Sequence, residues 1–564
     1  MGFFWTIVVL VVALAVAWRY LGAYMVAVYE GRVHFFGFLE RPIYRALGTS
    51  PEKEQNWKRY GASMIIFTGV SLLVTYALLR IQGHIGLFNP QHLSAVPSPL
   101  AFNTDISFIT NTNWQNYGGE TTMSYFSQIG ALTFQQFVSP AIGVAVAIAM
   151  VRGFSRRNSP TIGNFWVDMT RALLYIFFPI AFVFGIIFVG QGAVQTLGGP
   201  VEIHNLLNGV TQTIARGPIG FMESIKQLGN NGGGFLNANS STTYENPTGL
   251  TAWLSIYLLL AIPFALTYTF GKMVGSVRHG AALLAAMVIF LGVWVGGASV
   301  AEHQQNPAVV AAGIHSNVGN TEGKEVRFGD TTTALFGVAS TSTSTGSANA
   351  SYDSFTPMGG FFLMTGMMLG EVTPGGAGSG LYTILIYAII AVFIGGLMIG
   401  RTPEYLGKKI QATEIKLAGL AALVMPLIVL IFTAIAVSIH AGRVGPLNSP
   451  GPHGFSEILY GLTSQGNNNG SAFGGLTGDT TFYNVIGAVD MLIGRYAIMI
   501  PSLALGGVLA AKNVVPNSLG TFRTDNSMFV GLTIGVIVII GGLTFFPAIS
   551  LGPIVEQLSH GQFF

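Results

Sequence analysis

The chain has 564 residues, of which 51% are hydrophobic and only 9% are Asp, Glu, Lys or Arg. Mean hydropathy is +0.57, and apolar runs of about 20 residues, enough to cross a bilayer, recur from end to end. A scattered net charge of +3 excludes a nucleic-acid partner, and the lack of cysteine excludes disulfides, thiolate metal sites and thiol redox switches.

These quantities predict an all-α polytopic membrane protein in contact with lipid. Ten spans are expected, at residues 4–27, 62–82, 123–150, 165–191, 250–271, 279–301, 356–400, 412–441, 483–511 and 526–548. The first, GFFWTIVVLVVALAVAW, lacks a basic leader and is followed by a basic loop and a second apolar run, so it reads as a retained span. The connections 28–61, 151–171, 272–278, 401–416 and 512–523 hold 18 of the 26 Lys and Arg residues. The longer connections 83–122, 192–247, 302–354 and 442–482 hold 5. The positive-inside rule therefore puts the first set in the cytoplasm and both termini outside. The run SPEKEQNWKR (50–59) reads as a solvated cytoplasmic loop, and His303, His315 and His453 as solvated or supporting residues of the outer connections.

The four long connections are alike. Each holds an apolar stretch too short to span, which runs into a tract of small polar residues: ISFITNTNWQ, IKQLGNNGGGF, VASTSTSTGSANA and YGLTSQGNNNGSAF. Aligned on their centres, they place Asn111-Thr112-Asn113, Asn230-Asn231-Gly232, Ser344-Thr345-Gly346 and Asn468-Asn469-Gly470 in register. The triplets start 119, 114 and 124 residues apart, the near-constant spacing of an internal repeat. The unit is span, half-helix, polar tract, span. It divides the chain into a first span and loop (1–61), repeats at 62–151, 152–272, 273–411 and 412–511, and a last span with tail (512–564).

Four such units can surround a shared axis. Non-helical backbone at membrane depth is tolerated only where protein or a water-filled cavity covers it. A dehydrated cation needs oxygens to replace its water, and rings of backbone carbonyls supply them. Glycine permits the positive φ that turns successive carbonyls toward one axis. Half-helices that aim their C-terminal ends at the centre add partial negative charge there. For any single tract a surface turn is the ordinary reading of Asn-Gly or Gly-Gly. The fourfold coincidence of position and composition favours the cation path.

The apolar segment at 356–400 is about twice the length that one crossing needs. Its middle, GEVTPGGAGSG (370–380), carries Pro374 and several glycines and should interrupt a helix. The loop would lie beneath the tracts, where it could obstruct a pore, or it is only a structural kink. Glu371 at the break and Arg495 in LIGRYAIM are expected to approach each other, as an element of ion exit or as a structural pair.

No Walker A sequence is present: the Gly-Lys pairs at 271, 323 and 407 are followed by Met, Glu and Lys. The Asp-Lys-Thr-Gly-Thr phosphorylation sequence of P-type pumps is also missing, as are HExxH and GxSxG. No catalytic residue is assigned, and an intramembrane enzyme finds no paired constellation. If transport is active, a partner supplies the energy.

TNTNWQ (110–115), GNNGGGFLNANS (229–240), DSFT with its following GG (353–360), QGNNNGSAF (465–473), GEV…GGAGSGLY (370–382) and GRTPEYLGKKI (400–410) closely resemble the potassium-binding A subunit of the bacterial Kdp potassium-transporting ATPase. The resemblance covers essentially the whole chain. It implies a ten-span, channel-like, non-catalytic subunit of the bacterial cytoplasmic (inner) membrane that takes up K+ from outside through a selectivity filter. It implies as partners the P-type ATPase catalytic subunit (KdpB), which uses ATP and Mg2+, and the small subunits KdpC and KdpF. This chain itself would bind K+ and no other cofactor. The aligned triplets become the filter, with Gln115 just beyond the first. Asn113 stands where the other three tracts have glycine, and Thr345 where some relatives have cysteine. The resemblance also implies a cytoplasmic gate in the break, formed by Glu371, Gly375, Gly376, Gly378, Ser379 and Gly380 with Arg495 nearby, and Ser379 as an inner ion contact. The competing function is a self-sufficient potassium channel or cation symporter of the same four-repeat superfamily.

Overall fold

Ten helices among the described residues are long and apolar enough to cross a membrane, from Phe3–Tyr29 to Ser527–Leu558. The computed structural model describes residues 2–205, 209–315, 317–370, 372–398, 400, 402–515 and 522–559. Side-chain caps open several spans. Asn56, Thr248, Thr480 and Asn526 each accept a hydrogen bond from a backbone N–H of the first turn, which satisfies a donor that the helix leaves unpaired.

Among the described residues each long connection holds one helix of at least ten residues: Ser98–Ile109, Ile219–Leu228, Gly329–Thr341 and Gly451–Gly466. Each helix ends at one of the polar tracts. The spans on either side differ in burial. The spans that follow a tract, Tyr125–Ser155, Gly249–Met273, Ser379–Met398 and Thr481–Ala510, are the more buried, up to 94% for the first of them. Those that precede a tract, Trp57–His84, Phe165–Gly190, Val277–Ala311 and Ala412–Ser438, are mostly exposed. An inner set of helices is thus wrapped by an outer one that offers its apolar side chains to lipid. The opening span Phe3–Tyr29 lies outermost, 17% buried, along Gly249–Met273. Its Gly22 permits this approach, since a Cβ there would lie 2.7 Å from both Ala265 O and Tyr268 Cβ.

The long apolar stretch at 356–400 contains two helices, Pro357–Met368 and Ser379–Met398, with a non-helical turn between them. The motif DSFT…GG explains how the first begins. Thr356 caps it by accepting from Gly359 N, and the Thr356 N–H and hydroxyl both donate to Glu302 Oε1 at 2.8 Å. Gly359 is needed because a Cβ there would fall 1.9 Å from the same oxygen.

Among the described residues there are two small antiparallel ladders. Val201–His204 pairs with Thr211–Ile214 in the second long connection, with Val201 opposite Ile214. Glu404–Tyr405 pairs with Lys408–Lys409, inside GRTPEYLGKKI. That second hairpin buries Lys408 completely, and its ammonium donates to Gly153 O (2.7 Å), Leu509 O (2.5 Å) and Arg156 O. Gly153 and Leu509 lie at the carbonyl ends of the third and ninth spans, so one cation ties together two helix C-termini whose partial charge favours it. Lys408→Met should take the ammonium from three carbonyls, of which Leu509 O keeps a second donor in Lys512 N, and lower the stability of the protein by about 2–3 kcal/mol. Thermal unfolding in detergent measures this, and an unchanged midpoint would show that the hairpin docks without the ammonium.

Candidate functional site

All four half-helices end the same way. The chain leaves each through one non-glycine residue in the left-handed region: Asn111 (φ 67°), Asn230 (52°), Ser344 (52°) and Asn468 (54°). The next N–H then reaches back five residues to a helix carbonyl. Thr112 N donates to Ser107 O at 2.9 Å, Asn231 N to Lys226 O at 3.0 Å, Thr345 N to Ser340 O at 3.1 Å and Asn469 N to Ser464 O at 2.7 Å. This is the Schellman closure, which normally recruits glycine. A left-handed non-glycine residue costs roughly 1–2 kcal/mol, and asparagine tolerates it best. The third residue of the triplet is left-handed again at Asn113 (56°), Gly232 (99°) and Gly470 (95°), but not at Gly346.

The tracts meet in a closed ring. Asn111 Nδ2 donates to Asn230 O at 2.9 Å, and Gly346 N donates to Asn231 O at 3.2 Å. Asn468 Nδ2 donates to Thr112 Oγ1 at 3.0 Å. A Cβ on Gly232 would lie 2.1 Å from Gly346 N, one on Gly346 would lie 2.6 Å from Gly470 C, and one on Gly470 would lie 2.0 Å from Thr112 O. The glycines are therefore fixed by neighbouring backbone as well as by their own conformation. All twelve triplet residues are buried except Gly470, which is half-buried.

Side chains hold the ring from behind. Asn230 Nδ2 donates to Leu259 O (2.8 Å) and Asn468 Nδ2 to Met491 O (2.9 Å), while Ser139 Oγ donates to Asn111 Oδ1 (2.7 Å). In each case the partner belongs to the buried span after the tract. Asn469 Nδ2 bonds Thr341 O at 2.8 Å, which joins the fourth tract to the third half-helix. Gln115 fastens the first tract to the second, donating to Gly234 O and accepting from Gly234 N, each at 3.0 Å.

The break in the seventh span lies against the carbonyl end of the third half-helix. Gly375 N donates to Ser342 O at 2.7 Å, and a Cβ on Gly376 would meet Thr343 O at 3.1 Å. Gly378 (φ 92°) touches the third span so closely that a Cβ would lie 2.2 Å from Gly143 O. Ser379 is buried, and its hydroxyl accepts from Gly376 N at 3.1 Å. Gly380 N closes the turn on Gly376 O at 3.1 Å, and a Cβ on Gly380 would lie 2.1 Å from Pro374 O. Arg495 is buried beside this turn, with Nη2 donating to Ser139 O at 3.4 Å. Glu371 lies outside the described residues, and with it the expected approach of Glu371 to Arg495. A cavity of about 20 Å³, room for one water-sized occupant, separates the turn from the fourth tract; Gly370, Tyr382, Asn467, Asn468 and Arg495 are among its lining.

A profile of the family described as "Potassium-transporting ATPase A subunit" matches residues 7–558. The chain belongs to this family. Three A-subunit relatives, each named potassium-transporting ATPase potassium-binding subunit, are similar along nearly their whole length. That of Mesorhizobium japonicum is 51% identical over 550 residues, 96% of each chain. That of Granulibacter bethesdensis is 50% identical over 545 residues, covering 96% of this chain and 95% of the other. That of Methylococcus capsulatus is 49% identical over 571 residues, 95% of each chain.

Several buried charges in this A-subunit chain escaped the sequence reading, which noted only Glu371 and Arg495 within spans. Asp490 in the ninth span is wholly buried, and neither carboxylate oxygen has a hydrogen-bond partner. Gly466, at the end of the fourth half-helix, gives it room: a Cβ there would lie 3.0 Å from Asp490 Oδ1. Asp105 is likewise buried and unpartnered in the first half-helix. Asp168 pairs with Arg152 through two contacts, at 2.5 and 2.8 Å. In the second half-helix Lys226 lies between Glu223 and Glu245 and bonds Asn239 Oδ1 at 2.9 Å. Of the two readings given for His453, solvated or supporting, the structure favours the second. His453 is 13% exposed and bonds Glu556 Oε1 and Asp353 Oδ1, at 2.9 and 3.2 Å.

Replacing Asn111 by Ala should remove the donor to Asn230 O and the acceptor for Ser139 Oγ, and should leave alanine in a left-handed conformation. A loss of about 2–4 kcal/mol is expected, read as a lower unfolding midpoint. Asn111→Gly should recover the conformational part only.

Proposed function

We propose that this chain is the potassium-binding, channel-like subunit of an ATP-driven uptake complex, and that the ring of four tracts is its selectivity filter. The observation that carries this reading is the fourfold Schellman closure around one ring. It supports the division of the chain into four repeats at 62–151, 152–272, 273–411 and 412–511. Four helix C-termini converge there, with partial negative charge and no charged residue among the twelve triplet positions. Such a site suits a monovalent cation that leaves again, because carbonyl and hydroxyl oxygens replace water without binding as tightly as carboxylates. The names of the relatives supply the ion.

In this reading the tracts face outside and the positively charged connections lie in the cytoplasm of an inner membrane, so both ends of the chain are extracytoplasmic. K+ enters from outside, exchanges its water for oxygens of the triplets, and meets the 370–380 turn below. The filter acts by position and electrostatics alone, with no covalent step. A separate P-type ATPase subunit, with ATP and Mg2+, drives the transport, and KdpC and KdpF complete the assembly. Arg495, beside the turn and bonded to the span that braces Asn111, repels a cation below the ring and controls exit.

Ion density in a structure of the purified complex with Rb+ in place of K+ tests the filter directly. Density on the axis of the four triplets is expected, and its absence there would sink the assignment. Gly232→Asp forces a side chain against Gly346 and sets a carboxylate in the ring; uptake affinity should fall about tenfold or more, equivalent to at least about 1.4 kcal/mol, or discrimination among monovalent cations should narrow. A wild-type profile in that variant would count against the filter. Arg495→Ala should uncouple ATP hydrolysis from uptake while filter selectivity persists. Unchanged selectivity together with unchanged coupling would remove Arg495 from the exit path. If the chain alone, in vesicles without an ATPase subunit, accumulates K+ against its gradient, the self-sufficient transporter is the right reading.

A further inference from the structure

On the side of the molecule where the long connections lie, three elements distant in sequence bring an imidazole and three carboxylates together. His453 stands in the first turn of the fourth half-helix, Glu457 one turn further on, Asp353 after the third tract and Glu556 at the end of the last span. One ligand atom from each of Asp353, His453 and Glu457 lies within 4.8 Å of the others. His453 Nε2 is 3.2 Å from Asp353 Oδ1 and 3.9 Å from Glu457 Oε1. Ligands of a tetrahedral divalent ion with bonds of about 2.0–2.1 Å sit roughly 3.4 Å apart, so the two distances bracket the required spacing.

Two further observations point to a ligand. Glu457 is wholly buried and aimed into the cluster, yet neither of its oxygens makes a hydrogen bond of ordinary geometry. A protonated imidazole would satisfy Asp353 and Glu556, but its Nε2 is 3.9 Å from Glu457 Oε1, beyond hydrogen-bond reach. The other ring nitrogen, His453 Nδ1, is 2.9 Å from Glu556 Oε1, the arrangement in which a carboxylate accepts the Nδ1–H hydrogen bond and leaves the Nε2 lone pair for a metal. Gly475 closes the cluster: a Cβ there would lie 2.0 Å from Glu457 Oε1 and 3.0 Å from Asp353 Oδ2, filling the space between them.

We propose that Asp353, His453 and Glu457 form a binding site for a zinc-like divalent cation, with Glu556 orienting the imidazole. Mixed imidazole and carboxylate ligands suit Zn2+ or Mn2+ better than K+, whose carbonyl environment lies elsewhere in the molecule. The ion would fasten the loop after the third tract to the fourth half-helix, and through Glu556 to the last span.

The full chain, purified with whatever subunits accompany it and stripped with EDTA, is titrated with Zn2+ by calorimetry. One equivalent should bind. His453→Gln and Glu457→Gln should each weaken binding about tenfold or more, and Glu556→Gln about 10–100-fold through the imidazole alone. Mn2+ bound to the unmodified protein should show nitrogen modulation from a single imidazole in pulsed EPR, a readout that needs no variant to fold. Absence of stoichiometric Zn2+ binding, binding indifferent to both His453→Gln and Glu457→Gln, or Mn2+ without nitrogen modulation would each overturn the site.

Discussion

The structure depends on how a helix can be ended inside a protein interior. Each of the four half-helices stops at residues buried within the protein, where its last carbonyls need partners from the chain itself. In all four the left-handed residue at the end folds the next N–H back onto a carbonyl five residues earlier. That one hydrogen bond both pairs the buried backbone and sets the direction in which the tract departs. Everything else at the centre follows from it. Asparagine occupies the strained position in three tracts because its amide can hold on to the next span while its backbone tolerates the conformation. The glycines follow where the departing backbones crowd one another.

This division of labour explains why the asparagines are conspicuous. Their side chains reach back to Leu259, Met491 and Ser139, those of Asn111 and Asn468 also bond the neighbouring tract, and the triplet at 467–469 is less uniform than it looks. Asn467 is the last residue before the turn, and its amide bonds the carbonyl of Thr463 in its own helix. Asn468 is the left-handed closure, and Asn469 spans to the third half-helix. Three identical letters perform three different tasks. Ser344 is the exception among the closures: its hydroxyl is buried without a partner, and the third tract gains its support from the 370–380 turn below it instead.

Much of this was legible in the chain. Spans announce themselves by length and apolarity, and the tracts by a composition that changes sharply at nearly equal spacing. Pro374 among glycines marked the interruption between Met368 and Ser379. The bracing was not legible, because its partners are backbone carbonyls of Leu259 and Met491, which leave no mark on residue identity. Asp168 and Asp490 were overlooked because one carboxylate barely disturbs a long apolar window. The partners of His453 went unseen for a different reason. Its partners Asp353 and Glu556 lie 100 and 103 residues away in sequence, so a polar loop hid a buried cluster.

The meeting of Gly378 with Gly143 has a mechanical meaning. Main chain rests on main chain there, with no side chain between the two. Side-chain contacts yield by rotamer changes, which let one element shift while its neighbour stays still. A contact without rotamers has no such slack. Any displacement of the turn must therefore push the third span bodily, and that span carries Ser139, the residue that touches both Asn111 and Arg495. The turn and the first tract are in this sense geared together through a pair of missing methyl groups.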